Sequence, residues 1–271
     1  MKTVKISFST LGCPRWTWTE VFSTAKDLGF DGVEIRGLGD ELFAPAIKEF
    51  RDDAISHTKA KLERLSLEIP VLSSGAVLAV DEKADESCDE ARAYIDLAQK
   101  LGTPYVRVMG TGEPDITAGN FRGAASRYHD LCEYAAPKGV TPLIETNGAL
   151  SSSDAMVAFL KAANTENSGV LWDVHHTVRI GEECVAETCE ILGSRIKHIH
   201  VKDSEMVNGK PEYRMMGYGD IPVFDAVREL KNIGYDGFAS LEWVKRWNPD
   251  LQEPGIVFAH YVSYMKMLSE L

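Results

Sequence analysis

The strongest constraint on the fold is a regular alternation of two residue patterns along the whole chain. Short runs rich in β-branched and apolar residues, suited to strands buried on both faces, are followed by longer segments whose apolar residues recur at helical spacing. The patterns predict eight strands, at residues 4–8, 32–36, 68–72, 105–109, 141–145, 170–174, 196–201 and 238–243. They also predict eight helices, at residues 19–28, 45–65, 87–101, 121–138, 154–163, 182–192, 223–233 and 255–268.

This strand–helix repeat is typical of βαβ units, whose strands lie parallel in one sheet. Eight such units in 271 residues predict an α/β fold, a single (β/α)8 TIM barrel, and no break in composition divides residues 1–271 into two domains. An open doubly wound sheet would be expected to have a GxGxxG turn after its first strand, and this chain has none there. The active site of such a barrel forms at the carboxyl ends of the strands, so polar residues at those ends are the first candidates for chemistry.

Charge and apolar content narrow the partners that the chain can have. A formal net charge of −12 repels phosphate backbones and anionic lipids, so we expect neither a nucleic-acid partner nor a membrane partner. The amino-terminal residues lack the apolar run of a secretory signal, and no apolar segment approaches the ~20 residues of a membrane span. We therefore expect a cytoplasmic protein with a small-molecule substrate. The sequence leaves open whether the chain forms a homodimer, because subunit contacts leave no clear pattern in a sequence.

Acidic residues and a histidine stand at the ends of the last four predicted strands. These strands end in LIE, LWD, HIH and SLE, which places Glu145, Asp173, His200 and Glu242 at the barrel mouth. Three carboxylates at one mouth would repel each other strongly unless a cation lay among them. The set therefore predicts one divalent metal ion. Mostly oxygen ligands with one nitrogen favour Mn²⁺, with Mg²⁺, Co²⁺, Zn²⁺ or Fe²⁺ as alternatives.

Other polar and aromatic residues near these strand ends are further candidates. Glu34 is expected to reach the cavity and contact substrate, and Arg107 could neutralise either Glu34 or the carboxylate that ends the fifth strand. His198 lies two residues before His200, on the same face of the strand, and is expected to pack behind it. Trp243 belongs to an aromatic and basic segment that could stack against a sugar ring.

The segments LIETN, WDVHH, IKHIHVKD and ASLEW resemble those of the sugar phosphate isomerase/epimerase family of xylose-isomerase-like TIM barrels. The resemblance implies that the four strand-end residues bind one divalent metal. It also implies that His176 contacts a substrate hydroxyl. His175 competes for that role or else hydrogen-bonds a metal-binding carboxylate. Arg214, in the loop after the seventh strand, corresponds to an arginine that holds substrate oxygens in similar enzymes, and Lys202 is a further candidate for substrate binding.

These residues predict a metal-dependent enzyme of carbohydrate metabolism, a sugar isomerase or a ketose epimerase. Glu145 and Glu242 would act as acid and base on the carbon next to a carbonyl, through an enediolate that the metal stabilises. A metal-dependent dehydratase, a lyase acting on a keto-cyclitol or an oxidised sugar, needs the same ligands and an acid that His176 or Lys202 could supply. A non-catalytic sugar-binding barrel and an apurinic-site endonuclease are weaker alternatives. The endonuclease would need more histidines and more basic loops than this chain has.

Overall fold

The computed structural model describes residues 4–113 and 119–269, and the chain falls into two compact units. The first unit combines Met1–Ile69 with Ile199–Leu271, and the second is Pro70–His198. Each unit contains parallel strands that alternate with helices, as the sequence predicts.

The first unit is built on neighbouring parallel strands with an aromatic core. The strands are β1 (Lys5–Ser9), β2 (Gly32–Glu34), β10 (Phe238–Leu241) and the carboxyl end of β7 (Ile196–Val201). The helices are α1 (Trp18–Leu28), α2 (Ile55–Leu65), α8 (Val223–Asn232) and α9 (Pro254–Ser269). The strand order is β2-β1-β10-β7, and all three pairings are parallel. Phe8 of β1 stacks on Phe258 of α9 with 4.1 Å between ring centroids, so the core lies between these two elements.

The second unit repeats this organisation. Its strands are β3 (Val71–Val77), β4 (Tyr105–Met109), β5 (Thr141–Glu145) and β6 (Gly169–Asp173). Its helices are α3 (Ala84–Leu101), α4 (Phe121–Ala135), α5 (Ser153–Ala163), α6 (Val174–Arg179) and α7 (Val185–Leu192). The order β3-β4-β5-β6 is parallel throughout, and α3 packs against β3 and β4 while α4 packs against β5. Every residue of β6 is buried, as expected for a strand covered on both faces.

Local signals in the sequence explain where α1 begins and ends. Thr17 and Glu20 form a reciprocal cap, in which the Glu20 carboxylate accepts the Thr17 backbone N–H at 2.7 Å and the Thr17 hydroxyl accepts the Glu20 backbone N–H at 3.4 Å. At the other end, Gly29 adopts φ +84°, a left-handed conformation that glycine adopts without strain. The chain can therefore turn directly from α1 into β2.

Each predicted barrel strand has a counterpart, but the third lies later than predicted, since β3 is Val71–Val77 instead of 68–72 and Glu68 forms only an isolated bridge with Gly32. The other main differences concern the segments between the strands. The helix predicted over 45–65 begins only at Ile55, because Ile47 adopts an extended conformation between two short 3-10 turns, Ala44–Ala46 and Lys48–Phe50. The sequence prediction also missed α6 and an antiparallel hairpin of β8 (Asp203–Val207) and β9 (Lys210–Arg214). Within residues 4–113 and 119–269, every helix is too short or too polar to span a membrane.

Candidate active site

Charged and imidazole side chains stand where parallel strands end, the position at which (β/α)8 enzymes bind substrate. Glu34 is the last residue of β2, Glu145 of β5 and Asp173 of β6. His200 lies near the end of β7, and Glu242 follows β10 directly. All five are buried, with at most 6% of any residue exposed. Burial of a charged side chain is costly without a charged or hydrogen-bonding neighbour, so the contacts of these residues decide what they can do.

In the first unit, four of these buried side chains form what we call the first cluster: Glu34, His200, Lys202 and Glu242. Nε2 of His200 lies 3.1 and 3.0 Å from the two carboxylate oxygens of Glu34. Nδ1 of His200 lies 3.4 Å from Oε1 of Glu242. Lys202 donates from Nζ to Oε2 of Glu242 at 2.5 Å. The imidazole therefore lies between two carboxylates, one of which also accepts from a buried ammonium group.

In the second unit, the second cluster consists of Arg107, Glu145, Asp173 and His176. Nε of Arg107 lies 3.3 Å from Oε2 of Glu145. The sequence allows two partners for Arg107, and the structure shows a contact with this one. Nδ1 of His176 lies 3.7 Å from Oε1 of Glu145 and 3.5 Å from Oδ2 of Asp173. It also lies 2.9 Å from the carbonyl oxygen of Thr146. Because a carbonyl only accepts, we assign a hydrogen to Nδ1, which leaves the lone pair of the neutral ring on Nε2.

The turn after β6 explains how two histidines come to lie beside a carboxylate. Asp173 caps α6, since its Oδ1 accepts the backbone N–H of His176 at 3.1 Å, and this places both His175 and His176 in the first turn of the helix. Asp173, His175 and His176 each offer one ligand atom, and these atoms lie within 4.8 Å of one another. His198, predicted to pack behind the ligands, is likewise buried, in β7.

The charges of the two clusters favour a cation. Each cluster combines two carboxylates with one basic side chain, Lys202 in the first and Arg107 in the second. The acidic groups outnumber the basic side chain in each cluster, and buried negative charge without a counter-charge costs several kcal/mol. Oxygen and imidazole donors are also the ligands that Mn²⁺, Mg²⁺ and Zn²⁺ accept. The residues present therefore fit a divalent metal.

Arg214 and Trp243, both predicted to contact substrate, make contacts within the chain. Arg214, Glu205 and Glu212 all belong to the β8–β9 hairpin. Nη2 of Arg214 lies 2.6 Å from Glu205 and 2.7 Å from Glu212. Hydrogen bonds with Glu212, and to a smaller extent with Glu205, raise the pKa of Arg214. Trp243 is 1% exposed, and its indole N–H donates to the Gln252 carbonyl at 3.0 Å. Their contact with substrate stays a prediction.

Asp203 is a residue near the first cluster whose role the sequence prediction missed. It begins β8, directly after Lys202, and its carboxylate accepts backbone N–H groups from Ser204, Gly217, Gly219 and Ile221 at 2.9 to 3.2 Å. This carboxylate therefore holds residues 215–221 against the start of the hairpin. The sequence does contain a signal for it, a buried-strand Asp followed by the glycine-punctuated segment MMGYGDIP.

The chain belongs to the xylose isomerase-like TIM barrel family, whose sequence profile matches residues 22–258. The match spans most of the chain and confirms the (β/α)8 barrel and the family resemblance predicted from the sequence. Within residues 4–113 and 119–269, each compact unit has the parallel strands alternating with helices that this fold is built from.

Known proteins of this fold are similar to the chain over nearly its whole length. Fructoselysine 3-epimerase from Shigella flexneri is 23% identical over 258 residues, which cover 89% of this chain and 90% of that protein. The crystal structure of the probable 3-DHS dehydratase AsbF from Bacillus anthracis superposes with a TM-score of 0.80 and 18% identity, covering 98% of this chain and 99% of that one. The IolI protein, solved with a bound zinc atom, superposes with a TM-score of 0.80 and 17% identity over the same fractions. Because both sequence identities are low, the similarity to AsbF and IolI establishes a shared fold only.

Proposed function

We propose that the protein is a metal-dependent sugar epimerase or isomerase. The observation that carries the proposal is the presence of a buried glutamate at a strand end in each cluster, Glu145 and Glu242, each beside a histidine and a buried cation. Two such glutamates can serve as the base that removes a proton beside a carbonyl and the acid that returns it. The near full-length similarity to fructoselysine 3-epimerase supports the same class of reaction.

We further propose that Glu145, Asp173, His200 and Glu242 bind one divalent cation. All four are buried and each offers one oxygen or nitrogen ligand atom. The donor set favours Mn²⁺, with Mg²⁺, Co²⁺, Zn²⁺ and Fe²⁺ as alternatives. When bound, such a cation supplies Lewis-acid polarisation of a carbonyl and its neighbouring hydroxyl.

The chain's own residues then move the proton. One glutamate takes the proton from the carbon next to the carbonyl, and the other glutamate or the same one returns it. Return to the opposite face of that carbon gives an epimer, and return to the adjacent carbon gives an aldose–ketose pair. His176, whose Nε2 has the lone pair, is suited to accept a hydrogen bond from a substrate hydroxyl. The predicted substrate is therefore a sugar or a cyclitol that contains a ketone or aldehyde group.

A dehydratase is the second candidate, and the Lys202–Glu242 contact favours it. The ammonium group lies 2.5 Å from a carboxylate that we propose as a base, so the same cluster has a proton donor for a leaving hydroxyl. The structural similarity to the probable dehydratase AsbF is compatible with this chemistry. A dehydratase would release water and form a carbon–carbon double bond, whereas an epimerase leaves the composition of the sugar unchanged.

The test uses metal-loaded protein and a panel of ketoses, fructoselysine and inositol-derived ketones in D₂O, followed by NMR. Loss of the carbon-bound proton signal reports proton exchange, and the product spectrum separates an epimer from an aldose or an alkene. In folded Glu145→Gln and Glu242→Gln proteins we expect neither proton exchange nor product, because an amide cannot accept the proton. Glu229→Gln on the surface of α8 is the matched control and should leave turnover unchanged. Full activity in either site variant would contradict the two-glutamate mechanism.

Metal content provides an independent test. Elemental analysis of purified protein should find about one divalent ion per chain, and dialysis against a chelator should remove both metal and activity. A His200→Ala, Glu242→Ala double variant should retain no metal. Activity that survives complete metal removal would contradict the proposed metal dependence. The expectations of a cytoplasmic location and of no nucleic-acid partner stay predictions, and the net charge of −12 supports the second.

A further inference from the structure

Glu34 makes a contact that the proton-transfer mechanism does not use. It is fully buried at the end of β2, and both of its carboxylate oxygens lie within 3.1 Å of Nε2 of His200. An ionised carboxylate only accepts hydrogen bonds, so this short contact requires a hydrogen on Nε2. The sequence suggests that Glu34 contacts substrate, and that role stays a prediction.

The other nitrogen of His200 faces a second carboxylate. Nδ1 lies 3.4 Å from Oε1 of Glu242, while Oε2 of the same glutamate accepts from Lys202. In a neutral imidazole with its hydrogen on Nε2, Nδ1 has a lone pair, so two acceptor atoms face each other at this distance. Two ligand atoms about 2.1 Å from one cation are about 3.0 Å apart at a right angle and about 3.4 Å apart at the tetrahedral angle.

We propose that Glu34 is a positioning residue for the metal site. By accepting the Nε2 hydrogen it holds His200 in a single tautomer and ring orientation, with Nδ1 presented as a ligand atom beside Glu242. It also makes Nδ1 a stronger donor to a cation, since hydrogen bonding to a carboxylate raises the basicity of the imidazole. The inference rests on the proposed function, because it requires that His200 and Glu242 bind metal.

The first test measures metal affinity instead of activity. Metal-free wild-type protein, Glu34→Gln and Glu34→Met are titrated with Mn²⁺ by calorimetry. A glutamine oxygen still accepts from Nε2, so we expect Glu34→Gln to weaken Mn²⁺ binding about 10-fold. Glu34→Met, whose thioether is only a weak acceptor, should weaken it about 100-fold. Tyr128→Phe is the matched control. It removes a buried hydroxyl that donates to the Pro142 carbonyl at 2.7 Å in the second unit, and it should leave the Mn²⁺ affinity unchanged.

The second test reads the tautomer directly. In metal-free protein with ¹⁵N-labelled histidine, the ring nitrogens of His200, assigned by their loss in His200→Asn, should show the hydrogen on Nε2. A hydrogen on Nδ1, or on both nitrogens at neutral pH, would overturn the inference. Wild-type Mn²⁺ affinity in folded Glu34→Met would also overturn it. Should that variant not fold, wild-type Mn²⁺ affinity in Glu34→Gln would do so instead. If wild-type protein itself binds no Mn²⁺ or other divalent ion, the proposed metal site fails and this inference fails with it.

Discussion

Replacing Asp203 by Asn should destabilise the protein more than any surface change of the same kind. Oδ2 of Asp203 accepts the backbone N–H groups of Gly217 and Gly219, both at 2.9 Å. Oδ1 accepts those of Ser204 at 2.9 Å and Ile221 at 3.2 Å. The side chain is 1% exposed, so water cannot replace these bonds without local opening. One carboxylate thus satisfies four backbone donors in residues 204–221.

The magnitude follows from the geometry of the amide. Asn offers one oxygen and one NH₂ group, so in either orientation of the amide two backbone N–H groups would face a donor. Each hydrogen bond to a charged acceptor contributes about 1.5 to 3 kcal/mol, and losing two of them should lower the free energy of unfolding by about 3 kcal/mol or more. Repulsion between the facing donors adds to this cost, and relaxation of the 215–221 segment reduces it.

Urea unfolding followed by circular dichroism measures the change, and native-state hydrogen exchange locates it at the amides of Gly217 and Gly219. Asp225→Asn in α8 is the control. Its side chain is 43% exposed and pairs with Arg228 at 2.9 Å, so the same chemical change there should cost less than about 1 kcal/mol. An Asp203→Asn protein whose unfolding free energy lies within about 0.5 kcal/mol of wild type would refute the reasoning, because it would mean that these four bonds add nothing beyond a surface pair.

Two further variants test the local structure and the second cluster. Thr17→Ala removes the hydroxyl that caps α1 and should lower the free energy of unfolding by about 1 kcal/mol in urea titrations, while leaving Mn²⁺ affinity unchanged. Arg107→Met leaves the buried Glu145 without its guanidinium partner and should cost about 3 kcal/mol. Adding Glu145→Gln to Arg107→Met should recover most of that loss in a double-mutant cycle, and additive losses would show that the two side chains do not interact.

The strands and the residues at their ends could be predicted because both depend on local pattern. A buried strand appears in the sequence as a short apolar run, and its carboxyl end is the point where polar residues resume. Glu145 and Asp173 are the last residues of β5 and β6, as that pattern indicates. The helix ends could be predicted for the same reason, since Gly29 follows the last apolar residue of α1.

The turn of the β8–β9 hairpin has a recognisable signal in the sequence, Asn208-Gly209. Asn208 and Gly209 both adopt positive φ, 51° and 76°, as a two-residue type I′ turn requires, and Asn-Gly is the typical sequence for that turn. Most of the strand residues are polar and are at least partly exposed, so neither strand shows the apolar alternation that indicates a half-buried strand. A turn dipeptide without that alternation predicts a loop as readily as a hairpin.

The different roles that we propose for the two glutamates of the first cluster could not be predicted from local pattern. Glu34 and Glu242 both stand where a parallel strand ends, and nothing in their neighbouring residues separates a metal ligand from a residue that orients one. The difference arises because Glu34 faces Nε2 of His200, 166 residues away, while Glu242 faces Nδ1. A neutral imidazole has one hydrogen and one lone pair, so whichever carboxylate accepts the hydrogen assigns the other to the ligand side. Under the proposed assignment, the tautomer of His200 decides which of the two glutamates can share a cation with it.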